Sequence, residues 1–368
     1  MFSSRLDWNL QTNRLSALLK TKSRILDLTE TNPTRAGLEY PSGEILDALA
    51  DARSLSYDPE PRGLLSAREA VAGYYGGVPA SRILLTASTS EAYAYLFKLL
   101  CDPGDEILSP RPSYPLFEFL AGLESVRMVQ YPLRYDGVWH IDFHALEQAI
   151  TPRTRAIVVV NPNNPTGSFL KREEWSRLQG LGLPILSDEV FSDYAFSPDD
   201  SRVRSLTNAS EVLTFSMSGL SKIAALPQMK LGWIVASGPG HEGALERLEL
   251  IADTYLSVAT PVQTALPRLL EASVGVRAQI LERTRANFAL LRQSTVPLHV
   301  EGGWCATLQV PRTKSEEEWA ITLLARRDVL VQPGFYFDFE SEAFLILSLL
   351  TPPDVFAEGL KRLLEEVG

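Results

Sequence analysis

The sequence predicts an α/β fold in which a mostly parallel, seven-stranded sheet is flanked by helices, with a second, smaller α+β domain beside it. Three observations lead to this prediction. Between residues 83 and 236, short apolar runs alternate with helical stretches, as in parallel strands joined by crossover helices. From His241 onward, the apolar residues recur with a helical period. The length of 368 residues also suits two domains, or one large domain with a smaller companion.

The first two predicted units are an N-terminal arm, residues 1–40, and a large domain, residues 41–255. The arm ends in a loop indicated by Asn32-Pro33 and Gly37, and we expect it to join the small domain. A helix is predicted over residues 66–75, before the sheet. The predicted strands are residues 83–86, 106–109, 126–131, 156–160, 184–187, 212–216 and 232–236. Further helices are predicted over residues 91–100 and 114–123.

The small C-terminal domain is predicted over residues 256–368. Its strands are expected in the runs CATLQV, VLVQ and FLILSLL, and its helices near residues 316–326 and 353–366.

Composition narrows the class of protein. The net charge of −10 and the pI near 5.1 disfavour a nucleic-acid partner, which would require a basic surface. Cys101 and Cys305 give no disulfide framework, which favours a reducing compartment. The first residues are too polar for a signal peptide, and no apolar run of 18 residues could span a membrane. We therefore expect a cytoplasmic protein without membrane association.

A lysine follows a tight turn at the end of a predicted strand. The strand over residues 212–216 leads into the turn SGLS and then Lys222, and a second cation, Lys230, follows eight residues later. Burial and a neighbouring cation can lower the pKa of such a lysine, which can then act as a nucleophile or form a Schiff base. This stretch alone leaves a surface lysine on a loop as the alternative.

Polar residues follow three other predicted strands. Ser88 with Glu91 is typical of a capping box, so a helix N-terminus that could hold a phosphate follows the first strand; a plain helix cap is the alternative. The run NPNNPTG, residues 161–167, follows the fourth strand, and the bond before Pro165 is a candidate cis peptide. Asp188 directly follows the fifth strand, where a buried carboxylate needs a partner. A protonated heterocyclic nitrogen and a structural arginine or lysine both remain possible.

Aromatic residues near the predicted site could stack on a ligand, and several well-known motifs are missing from the sequence. Tyr114 or Phe191 could stack on a planar ring, although most aromatic residues in such folds belong to the core. The four histidines have no metal-ligand spacing, so no metal is predicted. The sequence contains neither a nucleotide-binding glycine motif nor the GxSxG motif of serine hydrolases.

Taken together in chain order, the run STSEA, NPNNPTG, Asp188 and the turn SGLS with Lys222 resemble the class I and II aminotransferases. These are enzymes of fold type I that depend on pyridoxal 5'-phosphate (PLP). The similarity extends from LTETNPT to the final strand. The resemblance implies an enzyme that transfers an amino group between an amino acid or related amine and a 2-oxo acid. It also implies a homodimer with active sites at the subunit interface.

The resemblance assigns a role to each candidate residue. Lys222 would form the covalent link to the cofactor and carry the proton between the substrate and cofactor C4′. Asp188 would pair with the pyridine nitrogen, and Asn164 would bind the ring hydroxyl oxygen, with the bond before Pro165 cis. The remaining implied contacts are those to the phosphate (Ser88, Thr89, Ser90, Lys230 and Tyr57 of the neighbouring subunit), to the ring face (Tyr114) and to the substrate (Asn32 and Asn164).

Three residues near the cofactor depart from the family pattern. Lys230 replaces an arginine, so it supplies charge without the bidentate fork. Gly219 replaces a serine and removes one phosphate hydroxyl. Phe191 replaces a tyrosine and removes a hydrogen bond to the ring oxygen, which is expected to raise the pKa of the cofactor link.

The largest departure is in the final strand, where the family usually binds the substrate carboxylate with an arginine. Ile346 occupies that position, and residues 340–357 contain no arginine. Either another cation, such as Arg62 or Arg35, binds the carboxylate, or the substrate is not a standard α-amino acid. The aromatic residues at 335–337 and Trp304 suggest an apolar or aromatic substrate, although core packing explains them equally well.

Two other functions are considered. A β-eliminating carbon–sulfur lyase uses the same cofactor chemistry, and its products, pyruvate and ammonia, would distinguish it. A non-enzymatic PLP-fold regulator would carry an N-terminal DNA-binding domain. Because the predicted fold begins by about residue 25, the sequence leaves no room for such a domain.

Overall fold

The computed structural model describes residues 2–6, 8 and 11–368. Its largest element is a mixed sheet of eight strands. In chain order these are Ile83–Thr86, Glu106–Arg111, Arg127–Tyr135, Trp139–Ile141, Thr154–Val160, Ile185–Asp188, Thr214–Gly219 and Gly232–Ser237. The seven predicted strands are all present. The sequence analysis missed Trp139–Ile141, a three-residue strand too short to show an alternating pattern.

Five neighbouring strands of this sheet run parallel. Their order is 214–219, 185–188, 154–160, 106–111 and 127–135. Strand 232–237 runs antiparallel to 214–219, and two short strands, 83–86 and 139–141, pair antiparallel at the two edges. The carboxyl ends of the parallel strands therefore meet at one edge of the sheet, where ligands bind in such folds.

Helices cover both faces of the sheet because the strand residues are apolar on both sides. Val158 packs against Tyr93 and other residues on one face, whereas Ile157 and Val159 pack against Leu178 on the other. The α-helices are Arg14–Leu19, Ser42–Leu49, Leu65–Tyr74, Thr89–Leu100, Phe117–Leu123, Phe143–Ala149, Arg172–Gly180, Leu220–Ile223, His241–Tyr255, Thr260–Ser294, Glu316–Arg327 and Pro353–Val367. None of the described helices is long and apolar enough to cross a membrane.

A smaller antiparallel sheet is formed by the C-terminal part of the chain. Strand Phe344–Ser348 lies between Cys305–Gln309 and Gln332–Pro333. The N-terminal segment joins this region, since Leu26–Asp27 pairs in parallel with Val329–Leu330. Helices Glu316–Arg327 and Pro353–Val367 pack on the same apolar cluster.

Several predicted boundaries differ from the structure, and two of these differences have a clear physical cause. The helix predicted over residues 114–123 begins at Phe117, because Tyr114 precedes Pro115 and a residue before proline disfavours the helical conformation. The strand predicted over residues 126–131 extends to Tyr135, because its last residues pair with the hairpin strand Trp139–Ile141.

Candidate active site

A cavity of about 230 Å³ lies at the carboxyl edge of the parallel strands. One side, which we call the sheet-edge wall, comes from segments that follow the large-sheet strands: Thr89, Tyr114, Pro115, Val160, Asn164, Asp188, Val190, Phe191, Gly219, Ser221, Lys222 and Leu231. The opposite side, which we call the small-sheet wall, consists of Thr31, Trp304, Cys305, Gln332 and Phe337.

Lys222 projects into this cavity, so the alternative of a surface lysine is wrong. Strand Thr214–Gly219 and the short helix Leu220–Ile223 position it, and its backbone carbonyl accepts a hydrogen bond of 2.6 Å from the Tyr194 hydroxyl. Nζ lies 4.7 Å from the ring centroid of Trp304 and 5.5 Å from that of Phe191.

The surroundings of Lys222 favour a reactive amine. Burial lowers the pKa of Lys222, and the nearby Cys305 and Asp188 only partly oppose this shift. A lower pKa increases the fraction of neutral amine, which is the nucleophilic form. The geometry therefore suits a lysine that forms a covalent bond with a carbonyl carbon.

Asp188 is a buried carboxylate that faces the same cavity. Its Oδ2 accepts a 3.1 Å hydrogen bond from the Tyr93 hydroxyl, and its Oδ1 accepts a 3.2 Å bond from the Val190 amide. Burial raises the pKa of Asp188 to about 6, although these bonds and the charge of Lys222 favour ionisation. None of the described residues forms a salt bridge with Asp188, so the structural arginine or lysine considered for it is not present.

Glu189, the next residue, has a different environment. It is fully buried, and its carboxylate accepts hydrogen bonds from Ser187, Ser205 and the Leu206 amide at 2.6–2.9 Å. The hydrogen-bonding capacity of Glu189 is thus used within the protein, whereas that of Asp188 is directed partly into the cavity.

The predicted helix start at Ser88 is present beside the cavity. Ser88 caps helix Thr89–Leu100, since its Oγ accepts a 3.2 Å bond from the Glu91 amide, but Glu91 bonds the Ala87 amide instead of completing the capping box. Thr89 lines the cavity, whereas Ser88 and Ser90 flank it without lining it. A helix N-terminus with free amide groups therefore faces one end of the cavity.

Of the other predicted residues, two line the cavity and two do not. Tyr114 and Asn164 line it, and the Asn164–Pro165 bond is cis. Lys230 is exposed and does not line it, although the next residue, Leu231, does. Asn32 does not line it either; its Oδ1 accepts bonds from the Thr34 amide and hydroxyl, and the neighbouring Thr31 lines the wall instead.

Tyr57 lies outside the cavity of its own chain. Its side chain is 77% exposed, on a loop that follows the 3-10 helix Ala52–Leu55, whose last residue is 91% exposed. In a monomer, Tyr57 cannot contribute to the site that contains Lys222.

Gly219 is closely packed against the neighbouring strand. A Cβ atom added at Gly219 would lie 2.9 Å from both the Gly232 Cα and the Leu231 carbonyl oxygen. Any side chain there would therefore displace backbone atoms. Ser221, two residues later, lines the cavity and offers a hydroxyl that the sequence analysis missed, although it stands next to Lys222 in the SGLSK run.

The small-sheet wall was largely missed by the sequence analysis. Cys305 and Gln332 reach it because their strands pair on either side of Phe344–Ser348. Phe337 is fixed near the sheet-edge wall, because its carbonyl accepts a 2.9 Å bond from the Ser113 amide. Tyr93, which holds Asp188, was also missed, because nothing in its local sequence marks it.

The position of the missing arginine is apolar. Ile346 is 1% exposed and clusters with Cys305 and Phe337, both of which line the cavity. The two alternative cations do not line it. Arg62 pairs with Glu249 through a 2.6 Å contact, and Arg35 lies on an exposed turn.

Comparison with known proteins identifies the family. The sequence profile described as aminotransferase class I and II matches residues 23–363. The alanine aminotransferase of Mycobacterium tuberculosis is 30% identical, over 92% of this chain and 85% of its own length. The glutamate-pyruvate aminotransferase of Haemophilus influenzae is 27% identical, over 89% and 87% of the two chains.

Solved structures show the same fold. An aminotransferase from Escherichia coli superposes with a TM-score of 0.85 at 24% identity, covering 100% of this chain and 98% of that one. The tyrosine aminotransferase of Leishmania infantum has a TM-score of 0.83 at 21% identity, with 98% of both chains covered.

Both kinds of comparison agree with the resemblance found in the sequence. The family uses pyridoxal phosphate, and nothing among the described residues specifically favours the carbon–sulfur lyase. The chain belongs to the class I and II aminotransferases and is a PLP-dependent enzyme of fold type I.

Proposed function

We propose that this aminotransferase uses Lys222 as its catalytic base and Asp188 as the partner of the cofactor ring nitrogen. The observation that carries the proposal is that one cavity contains a partly buried lysine with a lowered pKa and a buried carboxylate without a salt-bridge partner. Family membership gives the amino-group transfer and, in coarse terms, amino acid and oxo acid substrates.

The residues present fit the cofactor. Asp188 is buried at 7% exposure with one side directed at the cavity, so a protonated ring nitrogen would relieve the cost of its buried charge. The helix N-terminus at Thr89 and the hydroxyl of Ser221 suit a phosphate. When bound, pyridoxal phosphate supplies the electron sink that stabilises the substrate carbanion.

The neighbouring residues would hold and orient the ring. Asn164 would donate a hydrogen bond to the ring oxygen, and Tyr114 would stack on the ring face. Ser88 and Ser90 would support the phosphate end with Thr89. Lys230 would supply a positive charge from the exposed rim, because its backbone directly precedes the lining residue Leu231. Asn32 and Asn164 remain the proposed substrate contacts, and Thr31 joins them from the small-sheet wall.

Lys222 would then move a proton once its amine is free of the cofactor. Its Nζ lies near the faces of Phe191 and Trp304, which contact each other edge to face, so the two rings close off one side of the amine. Because burial lowers its pKa, the free amine can accept a proton from the substrate carbon and return it to the cofactor.

An absorbance spectrum tests this assignment. Purified protein reconstituted with PLP is expected to show a band at about 410–430 nm and to retain the cofactor after borohydride reduction. Lys222→Ala should lose both the band and the covalent adduct detected by mass spectrometry. The control Lys361→Ala changes an exposed lysine of the last helix and should keep both. A colourless wild type that PLP cannot reconstitute would contradict the assignment.

We also propose a homodimer with shared active sites, in which Tyr57 reaches the cofactor phosphate of the partner. The exposure of Tyr57 and of the preceding Leu55, both outside the cavity of their own chain, supports this arrangement. Mixing subunits tests it. Lys222→Ala and Tyr57→Ala are each expected to have low activity, but a hybrid dimer contains one site with both native residues.

Unfolding and refolding the two variants together should therefore restore about a quarter of the wild-type activity, because half the dimers are hybrids with one intact site of two. Each variant refolded alone serves as the control. A mixture no more active than the average of its components would contradict a shared site.

We propose the domain division of the sequence analysis with the boundaries 1–40, 41–255 and 256–368. The pairing of Leu26–Asp27 with Val329–Leu330 supports the assignment of the arm to the small domain. The cytoplasmic location remains a proposal that rests on the two free thiols, Cys101 and Cys305.

A further inference from the structure

We propose that Tyr194 and Tyr40 are positioning residues for Lys222, because their hydroxyl groups fix the end of the short helix that carries it. The inference rests on the proposed function, since it requires Lys222 to move the proton. It is independent of how the substrate carboxylate is bound. The two hydroxyls therefore act on the rate of proton transfer and not on substrate binding.

The helix that carries Lys222 is too short to hold it alone. An α-helix leaves its last four carbonyl groups without partners of its own, and helix Leu220–Ile223 has only four residues. The chain then turns at Ala225, whose φ of 55° is unfavourable for a residue with a Cβ atom. Pro227 has no amide hydrogen with which to extend the helix. The position of Lys222 therefore depends largely on groups outside its helix.

Two tyrosine hydroxyls bind the backbone at this end of the helix. Tyr194 donates a hydrogen bond of 2.6 Å to the carbonyl oxygen of Lys222, and Tyr40 donates one of 2.9 Å to that of Ala225. The Lys222 carbonyl also accepts a longer bond, 3.2 Å, from the Ala225 amide. A carbonyl oxygen has two lone pairs, so it can accept both bonds at once. The hydroxyls thus fix the backbone at both residues of the turn.

Burial keeps both hydroxyls in the donor form. Tyr194 is 0% exposed and Tyr40 is half-buried, and both pack in the apolar cluster that contains Phe191 and Trp304. Burial raises the pKa of Tyr40 to about 12 and that of Tyr194 well above its ordinary value. Each hydroxyl therefore keeps its proton at neutral pH and remains able to donate it in a hydrogen bond.

Tyr194 is itself fixed by the segment that leads into the small-sheet wall. Its carbonyl oxygen accepts a 3.0 Å bond from the Gly303 amide, and its ring meets that of Trp304 edge to face at 5.3 Å. The same Trp304 ring has its centroid 4.7 Å from Nζ of Lys222. Tyr194 and Trp304 therefore fix the two ends of the lysine, one at the backbone and the other at the amine.

The position of the backbone matters because the lysine side chain is a flexible four-carbon stem. A base must come within hydrogen-bond reach of the proton that it takes. A misplacement of about 1 Å can lower a rate by about 100-fold. Loss of one hydroxyl should cause a smaller shift, because the Ala225 amide still binds the Lys222 carbonyl. We therefore expect a moderate loss in the rate of proton transfer.

Tyr194→Phe tests the proposal, since it removes the hydroxyl and keeps the ring. The PLP-loaded enzyme would be assayed with the best donor from a panel of L-amino acids, with hydrogen or deuterium on the α-carbon. We expect kcat to fall by about tenfold and KM to stay within about twofold of the wild type. The isotope effect on kcat should be at least as large as that of the wild type, because proton transfer limits the rate more.

Tyr131→Phe is the matched control. The Tyr131 hydroxyl also donates to a backbone carbonyl, that of Val158, at 2.8 Å, and Tyr131 is 1% exposed. It belongs to a different apolar cluster from Tyr194. Urea unfolding should show a similar loss of stability for Tyr131→Phe and Tyr194→Phe, whereas Tyr131→Phe should keep the kcat and isotope effect of the wild type.

Hydrogen exchange on the cofactor-free protein provides a measurement that does not involve activity. The amides of Ala225 and Leu226 bind the carbonyl oxygens of Lys222 and Leu220. In Tyr194→Phe these amides should exchange about fivefold faster, which corresponds to the usual contribution of one hydrogen bond. Tyr131→Phe should leave their exchange unchanged.

Tyr40→Phe keeps the test valid if Tyr194→Phe does not fold. It removes the second hydroxyl, from a half-buried residue, and should lower kcat by about threefold with the same faster exchange at Ala225 and Leu226.

The proposal requires the lower kcat, the undiminished isotope effect and the faster exchange together. It would be overturned if any of the three were missing, or if Tyr131→Phe lost as much kcat as Tyr194→Phe. Failure to form the cofactor band, or activity retained by Lys222→Ala, would instead contradict the proposed function.

Discussion

The two walls of the cavity differ in how they are built and in the charge they carry. The sheet-edge wall comes from loops that follow neighbouring parallel strands, and it carries the charged groups Asp188 and Lys222. The small-sheet wall brings together Thr31, Trp304 and Gln332, which lie far apart in the sequence, and carries no charge at neutral pH. In the proposed function, the sheet-edge wall holds the groups for cofactor chemistry, and the small-sheet wall contributes to substrate recognition together with Asn164.

The charged groups of the sheet-edge wall lower the stability of the cofactor-free protein, whereas the small-sheet wall has no such groups. Asp188 is buried and Lys222 is partly buried, and burial raises the pKa of Asp188 and lowers that of Lys222, so each has its charged form disfavoured in the absence of a ligand. The small-sheet wall instead packs Ile346, Cys305 and Phe337 as an ordinary apolar cluster. Functional groups and the apolar core therefore contribute to stability with opposite signs.

Among the substitutions that test this difference between the walls, Asp188→Asn should have the largest effect. Loss of the charge opposite the ring nitrogen is expected to lower kcat by about 100- to 1,000-fold, the size of effect seen when one preorganised electrostatic group is removed. In the cofactor-free protein, the same change should increase stability at pH 8 by about 1–3 kcal/mol, because burial has raised the pKa of Asp188 from 3.8 to about 6.

The pH dependence of this difference in stability provides the control. A carboxyl group with a raised folded-state pKa stabilises the protein most when protonated, so the contribution of Asp188 is lost as the pH rises from about 4 to about 6. Urea unfolding of the cofactor-free proteins should show a difference between Asp188→Asn and wild type that is large at pH 8 and much smaller near pH 4. A difference that does not change with pH would rule out this explanation.

The same contrast explains how much could be predicted from the sequence. Lys222, Asp188 and Asn164 each follow an apolar run directly, so their position at the sheet edge follows from local sequence and from the geometry of parallel strands. Cys305 and Gln332 approach the cavity only through pairing with Phe344–Ser348, and no local pattern specifies that register.

Packing between chain segments was equally hard to predict. The bond between Tyr93 and Asp188 joins residues 95 positions apart. Lys230 is exposed and has a left-handed backbone conformation at the end of a short 3-10 helix, and the sequence around it indicates neither property. The missing arginine at Ile346 could be read directly, but the neutrality of the whole wall became visible only when its residues were brought together.

Gly219→Ser should have a smaller effect, on stability more than on chemistry. By comparison with the family pattern, Gly219 lacks a serine hydroxyl that would bind the phosphate. From the sequence alone, Gly219→Ser would therefore be expected to strengthen cofactor binding. In the structure, the new Cβ would lie 2.9 Å from the Gly232 Cα and from the Leu231 carbonyl oxygen, and backbone atoms cannot move aside as a flexible side chain can. We therefore expect a loss of about 1–3 kcal/mol, the usual range for overpacking, and weaker PLP binding.

Gly180→Ser is the matched control, because Gly180 ends helix Arg172–Gly180 and a Cβ there would have no atom within 4 Å. Urea unfolding of the cofactor-free variants measures the stability, and titration of PLP absorbance measures the affinity. Gly219→Ser should differ from wild type in both measurements, whereas Gly180→Ser should differ by less than about 0.5 kcal/mol, as is usual for surface substitutions. Tighter PLP binding by Gly219→Ser at unchanged stability would show that the sheet-edge wall is loose enough to admit the hydroxyl, and that its close packing does not limit the site.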